Sequence, residues 1–166
     1  MKEFRRLIVD QIPYLRRYAR ALAGDPSRAD DLVQDCLERA WSRAHLWRPS
    51  GDIRAWLFTI MHNLHANAAR RYSREPAVVP LGDEAAEASV RATQEDGLEL
   101  ENLLRALAQL PHAQRTAVLL VGLEGMSYEE AAAIQGIPLG TLMSRLYRGR
   151  ERLRELVSGP HLRRVK

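Results

Sequence analysis

The chain has 166 residues, of which 46% are hydrophobic and 28% charged, and this composition predicts a folded protein of one or two small domains. The single cysteine, Cys36, excludes an internal disulfide framework. The residues after Met1 form no secretory hydrophobic segment, and no apolar stretch approaches the roughly 20 residues that span a bilayer, so we expect a cytoplasmic protein without membrane insertion.

The net charge of +4 is unevenly distributed along the chain. Residues 1–74 carry 14 basic and 8 acidic side chains, residues 75–100 carry one and seven, and residues 101–166 carry ten and six. Two basic regions separated by an acidic one indicate two modules that face a polyanion, although solubility alone would also account for the distribution.

The first basic region predicts three amphipathic helices, because apolar residues recur there every three or four positions. Gly24 is typical of a helix end, and Asp25-Pro26-Ser27 is typical of a helix start, with Asp or Ser as the N-cap. The apolar stripes place Trp41 and Trp56 in the core of a small bundle. The three helices are predicted at residues 3–23, 28–44 and 53–72.

The second predicted helix carries a polar stripe opposite its apolar one, formed by Asp31, Gln34, Asp35 and Glu38. Asp31 and Asp35 are a like-charge pair at i and i+4, which costs a few tenths of a kcal/mol in an isolated helix. A protein partner with a basic surface would turn this cost into complementarity. The helix dipole explains carboxylates in a first turn but not Asp35 or Glu38, so both readings stay open.

The third predicted helix has no acidic residue between Asp52 and Glu75. Asparagine is a middling helix former, so two of them on one exposed face need a reason. Amides can hydrogen-bond the edge of an exposed base, and arginines can hold phosphates. This face is formed by Asn63, Asn67, Arg70 and Arg74, with Arg71 beside it.

Trp47 and Arg48 lie in the loop before the third helix. An aromatic ring there could stack on an unpaired base or belong to the core, and the pattern leaves Trp47 undecided.

Residues 75–97 predict a mostly irregular acidic tether, since they contain prolines and glycines but no long apolar stripe, with room for a short helical piece around 84–95. The chain is therefore predicted to be all-α, with two small helical domains at residues 1–74 and 98–166 joined by this linker. The second domain is expected to hold helices at 98–109, from Pro111 through Val121, at 127–135 and at 138–157.

The most specific local pattern lies between residues 127 and 142. Ser127 and Glu130 form a capping box, Gly136 supplies a turn, and Pro138 opens a longer helix. This order is that of a helix-turn-helix, whose second helix enters the DNA major groove.

The longer helix of this motif has two different stripes. One is apolar and predicted to face inward, and the other presents hydroxyl and guanidinium groups that suit phosphates and guanine edges. The alternative is a helical hairpin whose basic residues only face solvent. The capped short helix, the glycine turn and the arginines on one side of the longer helix favour DNA reading instead. The apolar stripe is Leu142, Leu146, Gly149 and Leu153, and the polar stripe is Thr141, Arg145, Arg148 and Arg152, with Ser144 beside it.

No catalytic or metal-binding pattern is present. The five histidines include no His-Glu-x-x-His, Cys36 lies on an apolar stripe, and there is no glycine-rich phosphate loop. We therefore expect no enzyme activity, no metal and no cofactor.

Taken together, the motifs resemble the extracytoplasmic-function (ECF) group of bacterial sigma factors, and are most similar to the branch that serves the general stress response of alphaproteobacteria. The resemblance runs through nearly the whole chain in order. It rests on Asp30-Asp31-Leu32-Val33-Gln34-Asp35, Arg54-Ala55-Trp56-Leu57-Phe58-Thr59-Ile60 with Asn63, the acidic linker, Ser127-Tyr128-Glu129-Glu130-Ala131-Ala132 and Gly140-Thr141.

The resemblance implies a transcription initiation factor that binds core RNA polymerase. Its first domain would bind the clamp coiled coil and open the minus-ten promoter element, and its second would bind the flap and read the minus-thirty-five element. By position, the clamp contact falls on Asp31, Gln34, Asp35 and Glu38. The minus-ten contact falls on Trp47, Arg48, Asn63 and Asn67, with Arg70 and Arg71. The minus-thirty-five contact falls on Thr141, Ser144, Arg145, Tyr147 and Arg148.

The resemblance also implies an anti-sigma factor as a partner. Met143 departs from the family pattern, since many relatives have Lys or Arg there, which puts a DNA contact at this position in doubt. Two alternatives remain: a sigma-like decoy that sequesters an anti-sigma factor, and a simple repressor that uses only the helix-turn-helix.

Overall fold

The computed structural model describes residues 1–74 and 94–159, and within these ranges the regular structure is entirely helical. This agrees with the all-α prediction. Two short elements interrupt the α-helices: a 3₁₀ turn at Ala44–Leu46 and a π-helical turn at Leu119–Leu123. The described α-helices are α1 (Lys2–Ala23), α2 (Pro26–Ser42), α3 (Ile53–Arg74), α4 (Gln94–Ala108), α5 (His112–Val118), α6 (Tyr128–Gln135) and α7 (Leu139–Val157).

The turn between α1 and α2 forms as its sequence predicts. Gly24 has a positive φ of 72°, and its N–H donates to the carbonyl of Arg20 at 3.0 Å. Asp25 then caps α2, because its Oδ1 accepts from the backbone N–H of Ser27 at 3.0 Å. This tight connection folds α2 back onto α1.

The core of the first bundle is made by α1, α2 and α3. Tyr18 and Phe58 meet edge to face with ring centroids 5.0 Å apart, a geometry that aromatic pairs prefer. The Cys36 thiol lies against the carbonyl of Leu57 at 3.5 Å, and burial raises its pKa to about 12, which leaves it unreactive. Other fully buried residues here are Leu15, Leu22, Leu57 and Met61.

The prediction that Trp41 belongs to the core is wrong, since half of this residue (50%) is exposed. Phe4, from the first turn of α1, occupies the buried space at this end of the bundle. The rings of Trp41, Trp47 and Trp56 surround Phe4, with centroids 6.1, 5.3 and 6.0 Å away. A helical stripe indicates which way Trp41 faces, but not that another aromatic ring fills the centre.

The helix-turn-helix is present at the predicted place. The capping box is complete: Glu130 N–H donates to Ser127 Oγ at 3.1 Å, and Ser127 N–H donates to Glu130 Oε2 at 2.9 Å. Gly136 has the left-handed φ of 64° that the turn requires. On α7, Leu142, Leu146 and Gly149 are buried as expected.

Helix α4 begins earlier than the sequence suggests. The acidic linker was expected to reach residue 97, but residues 94–97 already belong to α4, which starts at Gln94. Asp96 lies in its first turn, where a carboxylate is stabilised by the helix dipole, and this offsets the weak helix propensity of Gly97. The remaining linker residues, 75–93, lie outside the described residues, as do 160–166.

The two helical domains pack against each other. Helix α3 contacts α6, α1 contacts α4 and the π-helical turn, and the buried residues of both domains form one continuous core. The sequence predicts two modules but not this contact. The structure therefore brings the third helix of the first domain against the helix-turn-helix of the second.

Gly149 tests how closely α7 packs on α5. A Cβ at this position would lie 2.8 Å from Val118 Cγ2 and 3.2 Å from the carbonyl oxygen of Gln114. We expect Gly149→Ala to lower the free energy of unfolding by about 1–3 kcal/mol through overpacking, which outweighs the helix-propensity gain.

Gly140→Ala is the matched control on the same helix, because nothing lies within 4 Å of a Cβ there. It should raise the free energy of unfolding by up to about 1 kcal/mol. Urea denaturation of both variants measures the difference, and equal stabilities would contradict the close packing of α5 and α7.

Candidate functional site

The polar stripe of α2 lies on the surface. Asp31, Gln34, Asp35 and Glu38 are all exposed, and Gln34 Nε2 donates to Glu38 Oε1 at 3.1 Å. Because α2 begins at Pro26, Asp31 already lies beyond the first turn. The helix dipole, which acts within that turn, therefore explains none of these carboxylates.

The asparagine face of α3 is also on the surface. Asn63, Asn67, Arg70 and Arg71 are exposed, while Leu57, Phe58 and Met61 anchor the opposite face in the core. The buried side of α3 thus fixes the position of the helix, and with it the positions of the exposed Asn63 and Asn67.

Trp47 does not stand free beside this face. It is half-buried against Phe4, and its indole nitrogen is shielded from solvent with no hydrogen-bond partner among the described residues. The neighbouring Arg48 is exposed. The structure therefore places Arg48 at the surface, whereas only part of the Trp47 ring is accessible to a ligand.

The predicted DNA-reading stripe of α7 divides into two parts. Ser144, Tyr147 and Arg148 are exposed, Tyr147 to 68%. Thr141 and Arg145 are half-buried. Arg145 lies toward the first domain, where it lines a cleft together with residues of α3.

An ion-pair contact between the domains, at a buried carboxylate, was not predicted from the sequence. The side chain of Glu124 is fully buried, and two arginines of the first domain hold its carboxylate. Arg17 donates from Nε to Oε1 at 3.2 Å and from Nη2 to Oε2 at 3.1 Å. Arg54 Nη2 donates to Oε2 at 2.8 Å and to the Glu124 carbonyl at 2.7 Å. We call these three residues the arginine–glutamate cluster.

Local backbone geometry directs Glu124 into this cluster. The π-helical turn ends just before it, with the Glu124 N–H donating to the carbonyl of Leu119 at 3.0 Å. Tyr14 supports the other side, since the guanidinium carbons of Arg17 and Arg54 lie 5.4 and 5.3 Å from its ring centroid. The hydrogen bonds to Glu124 raise the pKa of Arg17.

A second interdomain contact is made by histidines. His65 Nδ1 of α3 lies 2.7 Å from His112 Nε2 of α5, and the two rings stack with centroids 4.7 Å apart. His62 also stacks on His112, at 6.2 Å. The rings stack rather than converge on one point, and within the described residues no group of three ligand side chains could hold a metal ion.

These histidines are held neutral. Burial lowers the pKa of His62 and of His65 to about 4, and the neighbouring His112 and arginines add to the effect. Burial also lowers the pKa of His112, assisted by Arg115 and Arg145. No local sequence pattern indicates this cluster, because His112 lies 47 residues after His65.

Arg115 completes the interface from α5. Its guanidinium donates to the carbonyl oxygens of Leu22, Ala108 and Leu110, each at 2.9 Å. Burial lowers its pKa, and the three carbonyls accept from its Nη1 and Nη2 groups, while its buried Nε has no hydrogen-bond partner among the described residues. The end of α1 is thereby attached to the start of the second domain.

No described helix is long and apolar enough to cross a membrane.

Two family models match the chain. One, described as the Sigma2 domain of PhyR, matches residues 8–62, and the other, described as Sigma-70, region 4, matches residues 100–153. The chain is also 41% identical over 150 residues to the ECF RNA polymerase sigma factor EcfG of Rhodopseudomonas palustris. That alignment covers 90% of this chain and 82% of the relative.

Two solved structures share the fold. The sigma factor RpoE of Bartonella quintana, crystallised with the anti-sigma factor NepR, is 33% identical with a TM-score of 0.76, covering 96% of this chain and 99% of that one. The anti-anti-sigma factor PhyR of the same organism, also complexed with NepR, has a TM-score of 0.60 at 19% identity, covering 90% of this chain and 48% of that one. The second likeness concerns the fold alone.

Neutralising Glu124 should weaken the association of the domains. In Glu124→Gln two guanidiniums lose their counter-charge, and breaking a buried ion pair costs about 3–5 kcal/mol. Because both arginines keep some solvent contact, we expect the free energy of unfolding to fall by about 3 kcal/mol.

Glu129→Gln is the control, since Glu129 is an exposed acid on the neighbouring helix and its loss should change stability by less than about 0.5 kcal/mol. Urea denaturation distinguishes the two variants. If Glu124→Gln were as stable as Glu129→Gln, the arginine–glutamate cluster would not hold the domains together.

Stability should depend on pH through the interdomain histidines. Their folded-state pKa values lie below the ordinary 6.5, so the unfolded chain binds more protons between about pH 4 and 6.5. The free energy of unfolding should therefore fall as pH is lowered through this window.

The double variant His62→Asn/His65→Asn should lose most of this pH dependence, whereas His45→Asn, an exposed residue of the 3₁₀ turn, should retain it. Urea denaturation at pH 7 and pH 5 provides the comparison. An unchanged slope in the double variant would mean that other groups cause the dependence.

Proposed function

The chain belongs to the ECF RNA polymerase sigma factors, and on this basis we propose that it binds core RNA polymerase and directs initiation at specific promoters. The observation that carries the proposal is the pairing, in one chain, of a complete helix-turn-helix with an exposed asparagine and arginine face on the other domain. A repressor that uses only the helix-turn-helix would not need the second face. The similarity to EcfG and RpoE agrees with the alphaproteobacterial stress-response branch.

The α3 face would open the minus-ten element. Extruding a base costs a few kcal/mol, and binding the flipped base offsets that cost without ATP or a catalytic residue. Asn63 and Asn67 would contact the edge of the base, while Arg70 and Arg71 would hold the phosphates beside it. By the resemblance to the family, Arg48 and the accessible part of Trp47 would also contact this element.

Helix α7 would read the minus-thirty-five element. Its exposed Ser144, Tyr147 and Arg148 lie on the side away from the core, as a helix that enters the major groove requires. Arg148 can bridge O6 and N7 of guanine, and Ser144 can contact a phosphate or a base edge. Thr141 and Arg145 would join them once the cleft beside them opens.

The exposed carboxylates of α2 would bind polymerase. Asp31, Asp35 and Glu38 form an acidic surface that suits the clamp coiled coil, and the second domain would contact the flap. Each module alone would bind DNA weakly, and holding both on polymerase raises their effective concentration at a promoter with the right spacing. We also propose that an anti-sigma factor regulates the chain in the cytoplasm, because the related RpoE was crystallised with NepR.

The packed arrangement of the domains would have to open on polymerase. Arg70 and Arg145, assigned here to the two promoter elements, line one cleft. The elements themselves are about 25 base pairs apart, which is about 85 Å at 3.4 Å per base pair. Both arginines can therefore reach their elements only after the domains separate.

A sigma-like decoy is the second candidate, and it is favoured by the match of residues 8–62 to the Sigma2 domain of PhyR. A decoy needs the anti-sigma surface but no DNA-reading side chains. The exposed Asn63, Asn67 and Arg148 support the sigma factor, as does the 41% identity to EcfG over 90% of the chain.

Run-off transcription with core polymerase tests the proposal. The chain should yield a promoter-dependent product, which neither a decoy nor a repressor would yield. Asn63→Ala and Arg148→Ala should each reduce the product by about five- to 150-fold, since each removes contacts worth about 1–3 kcal/mol.

Arg6→Ala is the matched control, because Arg6 is an exposed arginine on α1 that lies outside the assigned surfaces. Its product should equal that of the unchanged chain. Absence of any promoter-dependent product, or full activity of both test variants, would refute the proposed function.

A further inference from the structure

The interdomain histidines, His62, His65 and His112, lie where helix α3 meets the second domain. His65 Nδ1 is 2.7 Å from His112 Nε2, and the ring of His62 stacks on that of His112 with centroids 6.2 Å apart. All three residues are half-buried, two on the α3 side of the contact and one on the α5 side. A change in their charge therefore acts on the interface between the domains.

The close pair of rings can hold only a limited number of protons. At 2.7 Å the two facing nitrogens share one hydrogen bond, in which one nitrogen carries the proton and the other accepts it. A protonated imidazole is a donor at both ring nitrogens. If both rings were protonated, two N–H groups would point at each other. His65 and His112 can therefore both be protonated only after they move apart.

The surroundings oppose positive charge on each of the three rings. Burial is the main cause that lowers their pKa values, and charged groups on α3, α5 and α7 add to it. Helix α6 contributes the uncharged Gln135 beside His62. The charged groups that lower these pKa values are Arg70 on α3, Arg115 on α5 and Arg145 on α7.

Buried polar atoms at the same interface also favour separation. His62 Nδ1 and both polar atoms of the Gln135 side chain are shielded from solvent and have no hydrogen-bond partner among the described residues. Such atoms lack the hydrogen bonds that they would make with water. Because both residues line the cleft between the domains, separation would return these atoms to water.

We propose that the interdomain histidines make the association of the two domains sensitive to acid, so that lowering the pH separates the domains while each stays folded. The separated chain can protonate all three rings and the packed chain cannot, so proton uptake favours separation. Most of the core of each bundle is apolar and does not titrate, as with Leu57 in the first domain and Leu142 in the second. Acid therefore acts on the contact between the bundles before it acts on the bundles themselves.

The size of the effect follows from the pKa values of His62 and His65. Both are about 4 in the packed chain, whereas an exposed histidine has a pKa of about 6.5. The packed arrangement is thus most favoured at neutral pH, and it loses this advantage as the pH falls from 6.5 toward 4. Lowering the pH from 7 to 5.5 should multiply the ratio of separated to packed chain by about 60, which is about eightfold for each of the two histidines.

The consequence for transcription rests on the proposed function. Thr141 and Arg145 are half-buried in the packed arrangement and are assigned there to the minus-thirty-five element. Acid would expose them, and the chain would then direct more transcription from its promoters. Separation of the domains can be measured on the chain alone, without polymerase or DNA. Failure of one proposal is therefore distinguishable from failure of the other.

Single-molecule energy transfer between two dyes on the full chain measures the separation. Ser42→Cys on the first domain and Ser158→Cys on the second provide exposed attachment sites, while the buried Cys36 thiol, with its pKa raised to about 12, stays unlabelled. Glu124→Gln is the background, because loss of the buried carboxylate weakens the packed arrangement and makes the separated fraction measurable. The ratio of low-transfer to high-transfer molecules should rise about 60-fold between pH 7 and pH 5.5.

Two further variants in the same background test the residues. His62→Asn/His65→Asn should reduce the rise to less than about tenfold, whereas His45→Asn, at an exposed position of the 3₁₀ turn, should leave it unchanged. Far-UV circular dichroism at both pH values measures whether the helices are kept. An absent rise in the background, an equal rise in the double variant, or a loss of helix that parallels the loss of energy transfer would each overturn the proposal.

Discussion

The relation between the two domains depends on one buried carboxylate. Glu124 has no contact with solvent and takes hydrogen bonds from Arg17, 107 residues away, and from Arg54. A buried charge is tolerated only when it is paired and hydrogen-bonded, so both arginines stabilise this packing of the second domain. The π-helical turn before Glu124 serves this contact, because it places the carboxylate at the interface rather than in water.

The rest of the interface follows from the same constraint. With the domains held together, α3 meets α5 and α6, and the three histidines stack in their neutral form. Arginines nevertheless lie on both sides of the neighbouring cleft. The interface thus combines a buried, paired carboxylate with histidines whose pKa values burial lowers, and protonation of these histidines makes the arrangement sensitive to pH.

The interface also sets an energetic condition on the proposed initiation activity. The packed arrangement half-buries Thr141 and Arg145, which promoter binding would use, so polymerase and promoter together would have to supply the free energy that separates the domains. A regulator that binds both packed domains at once would increase the free energy needed to separate them, and a regulator that binds one domain equally well in either arrangement would not. The surfaces of α3 and α7 at the interface would therefore contact each other in the packed arrangement and promoter DNA in the separated one.

The sequence by itself determined the local structure: the helices, the Gly24 and Gly136 turns, the Asp25 cap, the capping box of Ser127 and Glu130, and the exposed faces of α2, α3 and α7. Each of these depends on residues within one or two turns of each other, where periodicity and hydrogen-bonding chemistry are decisive. Only the tertiary structure decided that Trp41 is displaced from the core by Phe4, that Glu124 meets Arg17 and Arg54, and that His65 meets His112. These contacts join residues far apart in the chain, and which of them form depends on how two amphipathic surfaces dock, which no local pattern encodes.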